Sequence, residues 1–229
     1  MIDKLLFPRR CPICDSIITG DKLICAGCVR IPRRVEEPRC FKCSKHLRSD
    51  EKELCRDCES REKSFVRGIA LYEYDSVKDS INNFKNAQRP EYASFYAEEI
   101  ERHLKDVILT FKADAFVPIP LFSGKLKKRG YNQSKLLADE LSKRFKIPVE
   151  DGLLLRAKRT KEQKKLSNTE RQKNMQGAFH MSRNGVKLNT VILVDDVYTT
   201  GSTIDEAART LLSDGVKKVF FVTAAIGVD

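Results

Sequence analysis

The chain has 229 residues, 41% of them hydrophobic, and a formal charge of +11. That size fits one or two domains with an ordinary core. No stretch nears the run of about 18 apolar residues that a membrane-crossing helix needs. The short apolar patch Leu5-Leu6-Phe7 ends in Pro8-Arg9-Arg10, which speaks against a secretory signal and for a cytoplasmic protein. The positive balance is either a solvated surface or a footprint for a polyanion, nucleic acid or phosphorylated ligand.

All eight cysteines lie before residue 59, in four CxxC pairs: Cys11 and Cys14, Cys25 and Cys28, Cys40 and Cys43, Cys55 and Cys58. Each CxxC turn aims two thiolates at one point, which is half of a tetrahedral zinc site, so these pairs suit two structural zinc ions. A disulfide scaffold fits poorly with a chain lacking a secretory signal. An iron–sulfur cluster also takes four cysteines. Sequential pairing (11, 14, 25, 28 and 40, 43, 55, 58) closes shorter loops and is favoured. Cross-braced pairing (11, 14, 40, 43 and 25, 28, 55, 58) is geometrically open. A region this poor in large apolar side chains builds only a weak core, so bound metal would supply its folding free energy. Arg30, Arg33, Arg34, Arg39, Lys42, Lys45 and Arg48 lie between the knuckles and are either solvated or a contact for nucleic acid. His46 reads as a spare surface histidine, since the cysteines already fill both sites. Residues 1–62 are therefore expected to form a double zinc ribbon.

Residues 63–229 read as a second, α/β domain. Residues 59–67 are mostly polar and form the joint. Gly68–Tyr74 reads as a strand and Ser76–Lys85 as a short helix, with Val77, Ile81 and Phe84 at helical spacing. The apolar stripe Phe95, Tyr96, Ile100, Leu104 and Val107 predicts a helix over Tyr92–Leu109. Ala115–Ile119 is a strand and Asn132–Phe145 a helix. Residues 156–177 have no apolar period and read as a long mobile loop. Val191–Val194 is a strand, Thr203–Ser213 a helix and Val219–Ala224 a strand. The alternation predicts a mostly parallel twisted sheet with helices on both faces.

The strand ending at Asp195-Asp196 leads through Thr199-Thr200-Gly201-Ser202-Thr203 into a helix. A helix N-terminus offers unpaired N–H groups and the positive end of its dipole, and glycine lets an anion approach the backbone. The acids would repel bare phosphate. They make sense as acceptors for ribose 2- and 3-hydroxyls, or as holders of Mg2+ that bridges them. A phosphorylated ribose with a metal fits the whole pattern.

Residues 191–203 resemble the signature of type I phosphoribosyltransferases. The resemblance implies binding of phosphoribosyl diphosphate (PRPP) with Mg2+ along Asp195, Asp196, Val197, Tyr198, Thr199, Thr200, Gly201, Ser202 and Thr203. The acids would face the ribose and the loop would hold the 5-phosphate. It also implies transfer of the pentosyl group to a nitrogen nucleophile. Where 6-oxopurine enzymes carry a carboxylate this chain has Thr199, which points away from that branch. Orotate-type enzymes tolerate threonine there and use a loop lysine, for which Lys158, Arg159, Lys161, Lys164, Lys165 and Arg171 are candidates.

The segment Lys127-Lys128-Arg129-Gly130-Tyr131-Asn132-Gln133-Ser134, the spaced residues Arg159, Thr160, Gln163, Leu166, Glu170, Arg171 and Asn174, and the cysteine pairs together resemble the ComF family of competence proteins. The family implies a double zinc ribbon before a phosphoribosyltransferase domain. It implies a role in natural transformation, with single-stranded DNA and an uptake helicase or translocase as expected partners. An active transferase of nucleotide metabolism or salvage with an unidentified acceptor is the alternative. Lys128, Arg129 and Gly130 are expected at the diphosphate. Lys85, of a Phe-Lys pair the family often has, and Arg159 are the candidate catalytic residues. The cationic stretch 156–174 reads as a solvated loop, a lid over diphosphate or a contact for DNA phosphates.

Overall fold

The computed structural model describes residues 8–20, 22–49, 52–157, 175–182 and 187–227. The candidates Lys158, Arg159, Lys161, Lys164, Lys165 and Arg171 lie outside the described residues. Among the described residues a central sheet has four strands in the order β1 (Arg67–Glu73), β6 (Lys218–Ile226), β5 (Thr190–Tyr198) and β2 (Ala115–Pro118), all neighbours parallel. β5 and β6 are near-continuous runs of buried residues, as strands covered on both faces must be. The fold is α/β with a mostly parallel sheet, as the strand–helix alternation predicts.

One face is covered by α1 (Tyr74–Asn86), α2 (Tyr92–Thr110) and α4 (Gln133–Phe145). Their stripes meet the sheet through Ile81, Phe84, Tyr96, Ile100, Leu137 and Leu141, all fully buried. α3 (Ser123–Arg129) and α5 (Ser202–Ser213) complete the helices of the second domain among the described residues. α5 packs on the opposite face together with a short antiparallel pair, β3 (Leu154–Arg156) and β4 (Phe179–Met181). The second cysteine ribbon completes that face: Cys40, Cys43, Cys55, Cys58 and Phe65 share one apolar cluster with Leu193, Ala208 and Phe221. The segment between the ribbons lies along the open edge of β1, where Val35 donates its N–H to Leu71 at 3.1 Å and Arg34 bridges Tyr72. An edge so covered offers no free ladder to another chain.

Four elements depart from expectation. β5 runs on through Asp195, Asp196 and Val197 to Tyr198, so the acid pair lies inside the strand rather than after it. Ser123–Arg129 is helix α3, in a stretch to which the sequence assigns no element. It buries none of its residues, so it has no apolar period to read, and it closes on Gly130 at φ 85°. β3 and β4 have three residues each, too short for alternation to register.

Candidate functional site

The site forms where β5 meets the N-termini of α4 and α5. Asp195 Oδ1 accepts from Ser134 Oγ at 2.9 Å and from the Asp196 N–H at 2.9 Å. Asp196 Oδ1 accepts from Gln133 Nε2 at 3.1 Å, and Lys85 Nζ forms an ion pair with its Oδ2. Both carboxylates are buried, and burial opposes ionisation of each. For Asp195 burial wins, aided by the neighbouring negative charge, and its pKa is pushed up to about 7. For Asp196 the Lys85 ammonium overrides burial and the pKa falls. The free site thus holds one firm carboxylate and one poised to lose its charge.

The Tyr131-Asn132-Gln133-Ser134 segment builds this arrangement. Asn132 is the N-cap of α4, its Oδ1 accepting from Ser134 N–H at 3.1 Å, and its amide donates to the Ile119 carbonyl at 3.0 Å. Tyr131 Oη donates to the carbonyl of Phe84, the residue before Lys85. One short segment therefore joins the end of β2, the end of α1 and both acids. Arg129 donates to Gln133 Oε1 and its charge is felt by both acids, so it stands beside the site. Gly130 supplies the left-handed turn between α3 and α4. Lys128 is exposed on α3. Arg156, at the end of β3, was legible only as one cation of a charged stretch. It lies over the Phe179 ring at 5.5 Å, and its charge is felt by Asp195.

The hydroxyl-rich loop follows directly. Gly201 is the N-cap of α5 at φ 76°, and Thr200 Oγ1 and Ser202 Oγ lie 3.0 Å apart. Asp205, in the first turn of α5, would oppose an anion. It is turned aside to the Ser64 N–H at 2.7 Å and to Arg209 at 3.1 Å. Its neighbour Glu206 accepts from the Gly177 N–H at 2.6 Å. The loop's backbone amides are thereby left as its main charge-bearing feature. Tyr198, within the expected binding stretch, sends its ring away from the acids into the ribbon-side core.

The cysteines gather sequentially: Cys11, Cys14, Cys25 and Cys28 form one group and Cys40, Cys43, Cys55 and Cys58 the other, with the sulfurs of each group within 4.8 Å of one another. Two of the spacings are 3.8 Å (Cys14 to Cys25) and 3.6 Å (Cys43 to Cys55). Zinc–sulfur bonds of about 2.3 Å give a tetrahedron with edges of about 3.8 Å. These spacings fit a single zinc ion and are far too long for a disulfide. His46 belongs to neither group and lies 3.2 Å from the Glu36 carbonyl. Several cations expected to face solvent are engaged internally: Arg33 with Glu73, Arg34 with His103, Arg39 with Glu37 and Lys45 with Asp57. Arg30 and Arg48 are exposed.

No helix among the described residues is long and apolar enough to cross a membrane. The double zinc ribbon domain matches residues 2–59, and the phosphoribosyl transferase domain matches residues 131–226. Competence protein F of Haemophilus influenzae is 30% identical over 220 residues, covering 93% of this chain and 95% of its own. Competence protein ComFC of Bacillus subtilis is 29% identical over 224 residues, covering 90% of this chain and 89% of its own. The DNA utilization protein YhgH of Escherichia coli is 28% identical over 221 residues, covering 94% and 96%.

Proposed function

This chain belongs to the ComF family of competence proteins, and from that premise we propose that it binds PRPP with Mg2+ at Asp195–Thr203 while serving the uptake of transforming DNA. The observation that carries the reading is the pairing of two buried acids with a helix N-terminus whose own acid is turned away. Acids suit ribose hydroxyls and the amides suit a 5-phosphate, and neither feature alone would select a phosphorylated ribose. Asp195 and Asp196 are the residues that would hold Mg2+ through those hydroxyls, and the metal would neutralise charge on the diphosphate. Lys85 must then yield Asp196, and Lys85, Arg129 and Arg156 are the cations at hand for the diphosphate. Calorimetry with PRPP and Mg2+ tests this. Binding should weaken at least about tenfold when Asp195→Asn and Asp196→Asn are combined, the scale of a lost charge-assisted contact. Unchanged binding rejects the site.

The same three cations support a second reading, turnover, because a leaving diphosphate needs positive charge around it. An active transferase would release diphosphate when offered PRPP and a nitrogen nucleophile. Release no greater than that of the double variant rejects turnover and leaves a binding module.

Contact with single-stranded DNA is the part of the function assigned to the ribbons. Phe41 is 58% exposed on a knuckle, with the Arg67 guanidinium 4.9 Å from its ring centre. An exposed aromatic beside a guanidinium is a surface on which bases stack. Affinity should fall steeply with salt and weaken in Phe41→Ala, and salt-insensitive binding rejects the contact. An uptake helicase or translocase is the partner this role would bring.

A further inference from the structure

We propose that Phe65 and Tyr198 are positioning residues that couple the second four-cysteine centre to the phosphate loop, so that metal at one and ligand at the other each favour the other. The inference rests on the reading that Thr199–Thr203 holds the 5-phosphate. The alternation of β5 slips at the acid pair: Ile192, Val194 and Val197 pack on the helical side, whereas Tyr198 joins Val191 and Leu193 on the ribbon side. There its ring lies flat on Phe221, 4.8 Å between centres and 3° between planes, and meets Phe65 edge-on at 6.3 Å. Phe65 in turn stands edge-on to Phe221 at 5.0 Å. These rings and Cys40, Cys43, Cys55 and Cys58 belong to one buried cluster.

Both ends of the ring stack are pinned. On the ribbon side, Gly68 donates its N–H to the carbonyl of Lys42, inside the Cys40–Cys43 turn, at 2.8 Å. A Cβ at Gly68 would come within 1.9 Å of the Phe221 ring, so the ring presses on β1 only because glycine is there. On the loop side, a Cβ at Gly201 would come within 2.3 Å of Tyr198 Oη. That hydroxyl is buried with no hydrogen-bond partner among the described residues. Phenylalanine would fill the same space without an orphaned polar group, so the buried hydroxyl costs stability where it stands. Ser64, beside Phe65, is tied to Asp205 in the first turn of α5. A small polar cavity of about 80 Å³ lies between Ser60 and Lys63 on one side and Thr200 and Ser202 on the other. A close-packed stack cannot absorb a displacement, so a shift of the ribbon is passed to Gly201. The first centre is tied instead to Arg89 and Tyr92, at the turn between α1 and α2.

Coupling is reciprocal in binding free energy, and this supplies the test. The full zinc-loaded chain is mixed with a chromogenic chelator, with and without PRPP and Mg2+, and PRPP binding is measured on the same sample by calorimetry. Zinc should leave in two phases, and Cys14→Ser should identify the first centre by removing its phase. Saturating PRPP should slow the second centre's phase at least about threefold and leave the first unchanged. Phe65→Leu, which keeps an apolar side chain in the cluster, should bind PRPP yet lose that slowing. Bound PRPP with unchanged release in the wild type overturns the coupling while the ligand reading stands. Full slowing retained in Phe65→Leu overturns the role of the rings. Absence of PRPP binding brings down both.

Discussion

The two cysteine ribbons use the same motif and are held by opposite means. In the second, all four thiols are buried and join the apolar cluster on one face of the sheet. In the first, Cys14 is exposed and Cys25 only partly covered. Its attachment is polar: Arg89 donates to both oxygens of Asp15 at 2.8 and 3.0 Å, and Tyr92 Oη donates to Asp15 at 2.6 Å. Ile13, Leu23 and Ile24 add a half-buried apolar fringe against the helical face. The repeat in the sequence sets the metal chemistry twice, and the surroundings decide what each copy supports. The second ribbon closes a face of the transferase core. The first clamps the turn that follows Lys85.

The largest expected effect separates the two centres by stability. Structural zinc contributes about 10 kcal/mol or more to small ribbons, comparable to the whole stability of a domain. Cys43→Ser should remove that support from a cluster shared with the sheet, lowering Tm by about 10 °C or more, or abolishing a cooperative transition. Cys14→Ser should lose one zinc by metal analysis and lower Tm by less than half as much. Equal losses would show that the burial difference has no energetic meaning.

A smaller effect tests the polar clamp. Arg89→Ala removes both guanidinium hydrogen bonds to Asp15, leaving it Tyr92 and the looser Arg10 pair at 3.6 Å, at a cost of about 1–3 kcal/mol. The first ribbon should then become more open to amide hydrogen exchange while the second keeps its protection. Arg89 also holds the Asp15 carboxyl below its ordinary pKa. A depressed pKa contributes stability that is present above the unfolded value near 3.8 and lost as pH falls through the folded value. The first ribbon should therefore loosen first in acid. Simultaneous loss of both ribbons under acid titration would contradict the division.

Much of this was legible from residue spacing, for physical reasons that also mark where it stopped. The CxxC pairs are local turns, so their spacing alone made sequential grouping the cheaper closure, and the structure gathers them that way. Helices with a buried stripe, such as α2, were readable to within a residue or two. α3 was not, because a helix packed on nothing has no period to detect. The acid pair and its loop could be recognised as a motif. What holds the acids could not: Gln133 and Ser134 stand out only as part of a family segment, and only the crossing of α4 over β5 brings them to Asp196 and Asp195. Tyr198 shows the same limit, since a period of two cannot announce the slip that turns its ring toward the second ribbon.

The smallest effect lies at the acid pair, beside the loop that opens α5. Burial raises Asp195 to about 7 from an ordinary 3.8, so the folded protein holds a proton that the unfolded chain has lost. The sign follows from linkage. A carboxyl raised on folding contributes stability fully present below pH 3.8 and progressively lost as pH rises through about 7. Asp195→Asn mimics the protonated form, keeps an oxygen for Ser134 and the Asp196 N–H, and offers an amide to Asp196. At pH 8, without PRPP or Mg2+, it should raise stability by about 1 kcal/mol and Tm by about 3 °C. Near pH 4 the gain should vanish. A gain that is constant across this range would mean that Asp195 is ionised throughout in the free protein, and that Lys85 neutralises both acids rather than Asp196 alone. A gain confined to high pH would mean that the protein gives up stability to keep a second carboxylate at the proposed ribose site.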